Sequence, residues 1–369
     1  MLSTLLLAWM PSAVAGPCSL HRVAPADGHA LEAGLPRNTL VVRAPTNSCE
    51  TGVSVRVLAA DPVYSAAPLP REGCVAEADL STVSGWSWVT AAPWNTDDAT
   101  VHPQPPGLLL DPLPDTIDCQ ATSLTFADRT IALDQLGPLR PIDPTTLASV
   151  LSVQAHAIQR FGPLGLTSIH WTDGGRVSLP WVHWETDEEV ATTYTREALD
   201  TEDRQERAVR ARGPADAYLY FKGADPIRSD IWGTPATIHA LIDTLADWQA
   251  ACRATRPDRP EVCAVQLGDI SWYSARRPDP LGHRDHFAGT CVDVRLFRAD
   301  GSRYEAYWNR PDDRPSFTES SGYDAVLTGL FIDHLLARED VTRVLFNDPA
   351  LTSATAARGH DDHLHVCFD

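Results

Sequence analysis

The first part of the chain carries short runs rich in Val, Leu, Ile and Thr, which are typical of β-strands. Two such runs lie at 38–43 and 53–58, and clusters of Pro, Gly, Asn and Asp separate them from their neighbours. Further strand-like runs lie at 86–90 and 123–133. Because many short strands alternate with turn signals, the pattern predicts an all-β domain over residues 17–133, built as a small β-sandwich.

Residues 24–28, with the sequence APADG, precede a strand-like run and resemble the opening of bacterial immunoglobulin-like modules. This resemblance implies an immunoglobulin-like sandwich for the N-terminal domain. A proline-rich stretch at 137–144 then interrupts the pattern. It predicts a linker over residues 134–145. We assign no chemistry to this half, since its few histidines are scattered singly along the chain.

Beyond the linker the pattern becomes mixed. Thr234 followed by Pro235 is typical of a helix N-terminus, and apolar residues at helical spacing then predict a helix over about 235–250. A second helix is predicted from about 320 to 337. We therefore expect an α+β domain over residues 146–369. Its strand-like runs lie at 262–267, 291–297, 344–347 and 363–368.

The length of 369 residues suits two domains of this kind. Residues 1–15 form a short apolar run that ends in Ala-Val-Ala, which is typical of a secretory signal peptide. The run has no Lys or Arg, so a buried N-terminal strand is the alternative. No later stretch reaches the roughly 18 apolar residues that a membrane helix needs. We expect an exported protein, periplasmic or extracellular, with no transmembrane segment.

The eight cysteines fall into two sets of four, one in each half of the chain. An even number in an exported chain predicts disulfides within each domain. No CxxC pair occurs, which argues against a thiolate zinc site. The net charge of −19 would repel a phosphate backbone, so nucleic acid is not an expected partner.

Five of the thirteen histidines fall in two short segments, HRDH at 283–286 and HDDHLH at 360–365. A metal hydrolase needs about three neutral or anionic ligands and an open position for water. Side chains alternate along a strand, so His363 and His365 would lie on one face of it. Together with the nearby carboxylate of Asp293, the two segments predict a metal site. Incidental surface histidines are the alternative.

His286 is followed seven residues later by Asp293, and an HxH motif lies far downstream. This spacing resembles the ligand pattern of the peptidase superfamily that includes lysostaphin-type enzymes, D-alanyl-D-alanine dipeptidases and the hedgehog signalling domain. Within it, residues 214–369 look like the penicillin-insensitive murein endopeptidases. The matching segments are GDIS at 268–271, HxxHxxGxxxD at 283–293, GHDDHxHV at 359–366, and the helix and strand of 323–347.

The resemblance implies a role for each matching residue. The zinc ligands fall on His286, Asp293 and His365, which would hold one Zn²⁺ per chain. His363 takes the position of the general base, and His360 is a second catalytic candidate. Residues expected to line the site are His283, Asp269 and Asp362. Residues that could contact a carboxylate-bearing peptide lie in the loop before His283, and they are Trp272, Tyr273, Arg276 and Arg277.

The implied activity is zinc-dependent hydrolysis of peptidoglycan stem-peptide cross-links, between D-alanine and diaminopimelate. Bound zinc would activate water, and His363 would take the proton. Two other functions stay open. One is a D-alanyl-D-alanine carboxypeptidase or dipeptidase with the same site. The other is a catalytically impaired, zinc-containing binding protein of the envelope, because the family usually has an acidic residue where this chain has Cys291.

Cys291 also suggests a geometric role. If Asp293 and His365 lie opposite each other on neighbouring antiparallel strands, then Cys291 and Cys367 are opposite as well, since each lies two residues away along its strand. Opposite residues are about 4.5–5.5 Å apart at Cα, a distance that a disulfide accepts. We therefore predict an antiparallel sheet in the C-terminal domain, locked by a Cys291–Cys367 disulfide. By elimination, Cys252 and Cys263 form the second disulfide.

Overall fold

The structure of the chain is a computed structural model, and its described residues fall into two compact units. The first unit ends at Asp143 and the second begins at Pro144. The described residues are 17–24, 35, 38–59, 70–90, 111–121, 123–126, 129–132, 139–161, 169, 171, 175–179, 183–186, 209–212, 218–220, 232–271, 284–299, 301 and 322–369.

The first unit is built from short β-strands. Five of them form an antiparallel sheet in the order β4-β3-β2-β1-β5, and β8 also pairs with β1. A second sheet has the order β11-β6-β7, while β9 and β10 form a hairpin, so the predicted run 123–133 is two strands. The strands are β1 (Pro17–Val23), β2 (Leu40–Arg43), β3 (Val53–Ala59), β4 (Glu72–Val75), β5 (Leu80–Thr82), β6 (Ser87–Thr90), β7 (Asp111–Pro112), β8 (Thr116–Asp118), β9 (Ser123–Phe126), β10 (Arg129–Ala132) and β11 (Leu139–Ile142).

The main sheet of the first unit is buried on both faces. In β2, Leu40 and Val42 belong to one apolar cluster, and Val41 belongs to another. Alternation along the strand sends these side chains to opposite sides of the sheet, so each side has its own core. The immunoglobulin-like topology of this unit stays a prediction. Two disulfides cross-link the unit, Cys18–Cys119 and Cys49–Cys74.

The segment predicted as a linker, 134–145, contains β11 and the first residues of helix α1 (Pro144–Phe161). Pro141 fits into β11 because this strand lies at the edge of its sheet, where a missing N–H is tolerated. Pro144 takes the first position of α1, where the N–H would have no partner in the helix. The prolines therefore mark a junction between a strand and a helix, and the boundary between the units lies within it.

The second unit combines helices with a seven-stranded sheet, which agrees with the α+β prediction. The sheet has the order β12-β13-β14-β15-β16-β18-β17, and its neighbours are antiparallel except for β14 and β15. The helices are α1, α2 (Pro235–Thr255) and α3 (Ala325–Leu336). The strands are β12 (His183–Thr186), β13 (Val209–Arg212), β14 (Tyr218–Tyr220), β15 (Val265–Leu267), β16 (Cys291–Arg295), β17 (Val341–Leu345) and β18 (His363–Phe368).

Helices α2 and α3 occur near their predicted positions, with shifted ends. The Thr234 hydroxyl accepts a hydrogen bond from the Thr237 N–H at 3.1 Å and caps α2. The helix continues past the predicted end at residue 250, because its buried face extends to Cys252, which is bonded to Cys263. The Asp324 carboxylate caps α3, so this helix begins later than predicted.

The core of the second unit lies between the sheet and these helices. Trp248 of α2 contacts the rings of Phe297 and Phe331. Its indole N–H donates to the Cys263 carbonyl at 3.1 Å, just before β15 begins. All residues of β15 and β16 are buried, so any polar side chain on them needs a partner inside the protein.

No described helix of the chain is both long enough and apolar enough to cross a membrane.

Candidate metal centre

Strands β16 and β18 pair in the register that the sequence predicts. Asp293 lies opposite His365, and Cys291 lies opposite Cys367. The two cysteines form a disulfide, and their Cα atoms are 4.0 Å apart. Residues two apart on a strand share a face, so the disulfide and the Asp293–His365 pair lie on the same face of the sheet. The disulfide therefore holds the two strands together directly beside that pair.

The three predicted ligands lie together, with His286 and His365 both next to the Asp293 carboxylate. Its Oδ1 atom lies 2.9 Å from His365 Nδ1 and 3.2 Å from His286 Nε2. All three side chains are buried. Ligands about 2.0–2.2 Å from a tetrahedral ion lie roughly 3.3–3.6 Å from one another, so a small shift outward from the observed spacings would accommodate a small divalent cation. This group could hold one metal ion.

A short 3₁₀ helix, Arg284–Ala288, carries His286. His286 Nδ1 donates a hydrogen bond to the Ile270 carbonyl at 2.7 Å. Because Nδ1 is used by this hydrogen bond, Nε2 is the atom that faces Asp293 and that would bind a cation after losing its proton. A fixed outer hydrogen bond of this kind is typical of metal-binding histidines.

The backbone of Asp293 is held by an irregular pairing with the end of β15. Gly268 N–H donates to the Asp293 carbonyl at 2.7 Å, and Asp293 N–H donates to the Asp269 carbonyl at 2.8 Å. Two residues thus oppose one, which is the arrangement of a β-bulge. A Cβ atom on Gly268 would lie 3.2 Å from Asp293 Cβ. Glycine is therefore suited to this position, because it lets the two strands approach closely.

Arg176 positions the His286 segment, and the sequence analysis did not identify it. Its guanidinium donates hydrogen bonds to the Ser271 hydroxyl and to the Phe287 carbonyl. It thereby joins the segment that contains Ile270 to the segment that contains His286. Burial lowers the pKa of the Arg176 guanidinium. The residue lies upstream of residues 214–369, and no local motif surrounds it.

Hydrogen bonds and charges within the group shift the pKa values of Asp293 and His286. Burial alone would raise the pKa of Asp293, but hydrogen bonds with His286 and His365 hold it well below its ordinary value. Burial alone would lower the pKa of His286. The hydrogen bond and charge of Asp293, with the charge of buried Asp269, instead raise the pKa of His286 to about 9. A bound cation would replace the proton that His286 carries.

Two further histidines lie against the three ligands. His363 Nε2 is 3.7 Å from Asp293 Oδ1, and the His360 ring lies 5.1 Å from the His363 ring and 5.5 Å from the His365 ring. Burial lowers the pKa of His360, and the two neighbouring histidines lower it further. Burial also acts to lower the pKa of His363, but the hydrogen bond with Asp362 raises it overall.

The Cys291–Cys367 disulfide contacts the metal-site face of β18. Cys367 Sγ lies 3.4 Å from His365 Nε2. Since Nδ1 of His365 faces Asp293, its Nε2 points at the sulfur. The two cysteines and His365 are also close enough together to bind a cation. Their sulfurs are bonded to each other, however, and a disulfide supplies no thiolate ligand.

The remaining predicted site residues divide into two groups. Asp269 and Asp362 are buried close to the ligands. The others lie outside the described residues, and they are Trp272, Tyr273, Arg276, Arg277 and His283.

No model of a known protein family matches the chain, and no curated protein matches it. The geometry alone defines the class of site: a buried group of two histidines and one aspartate in an α+β unit that could hold a metal ion.

Proposed function

We propose that the second unit is a zinc metallopeptidase that hydrolyses the peptide cross-links of peptidoglycan. The observation that supports this most directly is the convergence of three donor atoms on one point, with His363 Nε2 beside them. Two imidazoles and one carboxylate form a donor set that is typical of catalytic zinc sites, which keep a position open for water or substrate.

His286, Asp293 and His365 would hold the ion. When bound, Zn²⁺ would polarise the scissile carbonyl and make a water molecule more acidic. His363 would accept a proton from water at Nε2 and deliver it to the leaving amine. Its other nitrogen, Nδ1, is occupied by a hydrogen bond to Asp362 at 2.6 Å. Burial and the neighbouring histidines lower the pKa of His360 beside it.

The substrate class rests on the sequence motifs around the ligands, which resemble those of murein endopeptidases. Four disulfides are compatible with an exported protein that works in an oxidising compartment, where peptidoglycan lies. In this proposal the disulfide at Cys291 supports the ligand strands, and the chain does without the acidic residue that the family usually has there.

Digestion of purified, cross-linked muropeptide dimers tests the proposal. The zinc-loaded protein should convert dimers into monomers, whereas a carboxypeptidase or dipeptidase would release D-alanine or its dipeptide and leave the cross-link intact. His363→Ala should keep its zinc and lose turnover. His239→Ala is the matched control, since His239 stacks on His156 between α1 and α2 and should leave turnover unchanged. A wild-type protein that holds zinc and cleaves nothing would support the binding-protein alternative.

A further inference from the structure

A charged pair is buried beside His363. Arg295 of β16 lies directly opposite His363 of β18, in the same ladder as the Asp293–His365 pair. Arg295 Nη1 lies 3.3 Å from Asp362 Oδ2, and the two side chains are 9% and 2% exposed. The other oxygen of the same carboxylate, Oδ1, accepts a hydrogen bond from His363 Nδ1 at 2.6 Å. The three side chains therefore form a chain of contacts that ends at the metal centre.

Burying such a charged pair costs free energy. Removing two charges from water costs several kcal/mol each, and apolar residues of similar size are often at least as stabilising. The next position in β16 on the opposite face, Val294, is apolar and fully packed. Stability alone therefore does not explain why Arg295 and Asp362 occupy these positions. Their contact with His363 offers an explanation.

We infer that Asp362 and Arg295 are positioning residues for His363, which fix its tautomer and its ring orientation so that Nε2 is presented to the metal centre. The inference rests on the proposed function, in which His363 moves the proton. Because Asp362 Oδ1 accepts the hydrogen on Nδ1, Nε2 keeps its lone pair. Because Arg295 binds Oδ2, the carboxylate is held at both oxygens and is not free to turn away from the ring.

The other buried histidines of the site are oriented differently. His286 donates its outer N–H to the Ile270 carbonyl, and His365 directs its outer nitrogen at Cys367 Sγ. Both of these partners are uncharged. Among the described residues, His363 is the histidine of this cluster whose outer nitrogen contacts a carboxylate that is itself bound by an arginine. This distinction matches a division of roles between ligands and a proton carrier.

The first test measures turnover of muropeptide dimers by the full-length, zinc-loaded protein. Removal of Asp362 alone would leave Arg295 buried without its carboxylate, so the main variant is the double substitution R295M/D362L, which removes both charges. We expect it to hold zinc as the wild type does. Its kcat should fall roughly 10–100-fold while KM changes by less than about threefold, because substrate binding is not altered.

Conservative variants show whether a loss of activity comes from lost positioning of His363 or from a general loss of structure. Asp362→Asn keeps an oxygen that can accept from Nδ1, and Arg295→Lys keeps a cation beside the carboxylate, so both should retain more activity than the double variant. Arg338→Met is the matched control. It breaks ion pairs with Asp340 and Asp247 in the same unit and should leave kcat unchanged.

The second test determines the tautomer of His363 directly. Nitrogen-15 NMR of histidine-labelled, zinc-loaded protein distinguishes a protonated from a bare ring nitrogen, and His363→Gln assigns the signal. In the wild type we expect the hydrogen on Nδ1 and a bare Nε2. In R295M/D362L we expect a mixture of the two tautomers, while Arg338→Met should match the wild type.

A folded, zinc-containing R295M/D362L protein with wild-type kcat and a wild-type tautomer would overturn the inference. A wild-type protein that binds zinc but cleaves no cross-link would contradict the proposed function instead. The tautomer measurement needs no turnover, so it would then decide the inference by itself.

Discussion

Strand β2 is buried except for its last residue and β16 is buried throughout, but the two strands use their faces differently. In β2, Val41 and Val42 point to opposite sides, and both sides are apolar cores. In β16, Val292 faces an apolar core while Asp293 and Arg295 occupy the other face. A buried polar group costs free energy unless it has partners. Burial therefore does not distinguish a core strand from a site strand, whereas a buried polar face with convergent partners does.

The two faces of β16 should respond differently to substitution, and this is the largest effect we expect. Asp293→Asn keeps the side-chain size but removes the charge, so binding of zinc should fall from about one ion per chain to none detectable. Val292→Ala should lower the free energy of unfolding by about 2 kcal/mol and keep the zinc. Metal analysis and denaturant unfolding measure the two outcomes. Zinc retained at full stoichiometry by Asp293→Asn would contradict the ligand assignment.

The disulfides of the two units should also differ in what they support. The Cys291–Cys367 bond spans 76 residues, and replacing both cysteines by serine should cost about 4 kcal/mol of stability. It should also weaken zinc binding, because Cys367 contacts His365. Serine substitution of Cys49 and Cys74 should cost about 3 kcal/mol and leave zinc affinity unchanged. Chelator competition measures the affinities. Equal zinc affinity in both double variants would show that the ladder does not need its disulfide.

Arg176 supports the site from outside the β16–β18 ladder, and its effect should be smaller. Arg176→Met removes the hydrogen bonds that join the Ser271 and Phe287 segments, so His286 should be held less firmly. We expect zinc affinity to fall roughly 10–100-fold, as for other outer partners of metal ligands. Arg160→Met, which breaks ion pairs with Asp243 and Asp247 at the surface, is the control. The same loss in both variants would contradict a specific role for Arg176.

The smallest effect we expect is the pH dependence of zinc affinity and of stability. The pKa of His286 is raised to about 9 without metal, so zinc must displace a proton below that pH. Zinc affinity should rise about tenfold per pH unit up to about pH 9 and then level off. The stability of the metal-free protein should change in the opposite direction. Because the pKa of His286 is higher in the folded state than its unfolded value of 6.5, protonation of His286 stabilises the fold. This stabilisation is fully present below pH 6.5 and is lost as the pH rises towards 9.

Two sets of measurements check these signs: chelator competition at several pH values, and thermal unfolding of the metal-free protein. His21 in the first unit provides a contrast, because burial lowers its pKa. Its contribution to stability should therefore be lost as pH falls below about 6.5. A zinc affinity that does not change between neutral pH and pH 9 would contradict a protonated His286 in the metal-free site.

The β16–β18 ladder could be predicted because its determinants are local. Alternation within two short segments fixes which side chains share a face, and one assumed pair, Asp293 with His365, then determines the position of Cys367 opposite Cys291. Helix α2 was predictable for a similar reason, since its cap and its apolar spacing lie within one segment.

Features that depend on contacts between distant segments could not be predicted. Arg176 lies far along the chain from Phe287, and no periodic pattern links them. The pairing of Arg295 with Asp362 is visible only once the strands are in register. The bulge at Gly268 depends on how closely β15 approaches β16. From the sequence alone, the prolines of 137–144 indicate a break in structure, whereas in the fold an edge strand and the start of a helix accommodate them.

The distance along the chain between the ligand segments has a consequence for how the protein reaches its native state. The Cys252–Cys263 bond closes a loop of 11 residues, while the Cys291–Cys367 bond closes one of 76. Short loops close at a lower entropic cost and faster than long ones. During oxidative refolding the local bond should therefore form first, and the docking of β18 should come later. Zinc uptake would then report the completion of folding in this unit, and early intermediates would bind none.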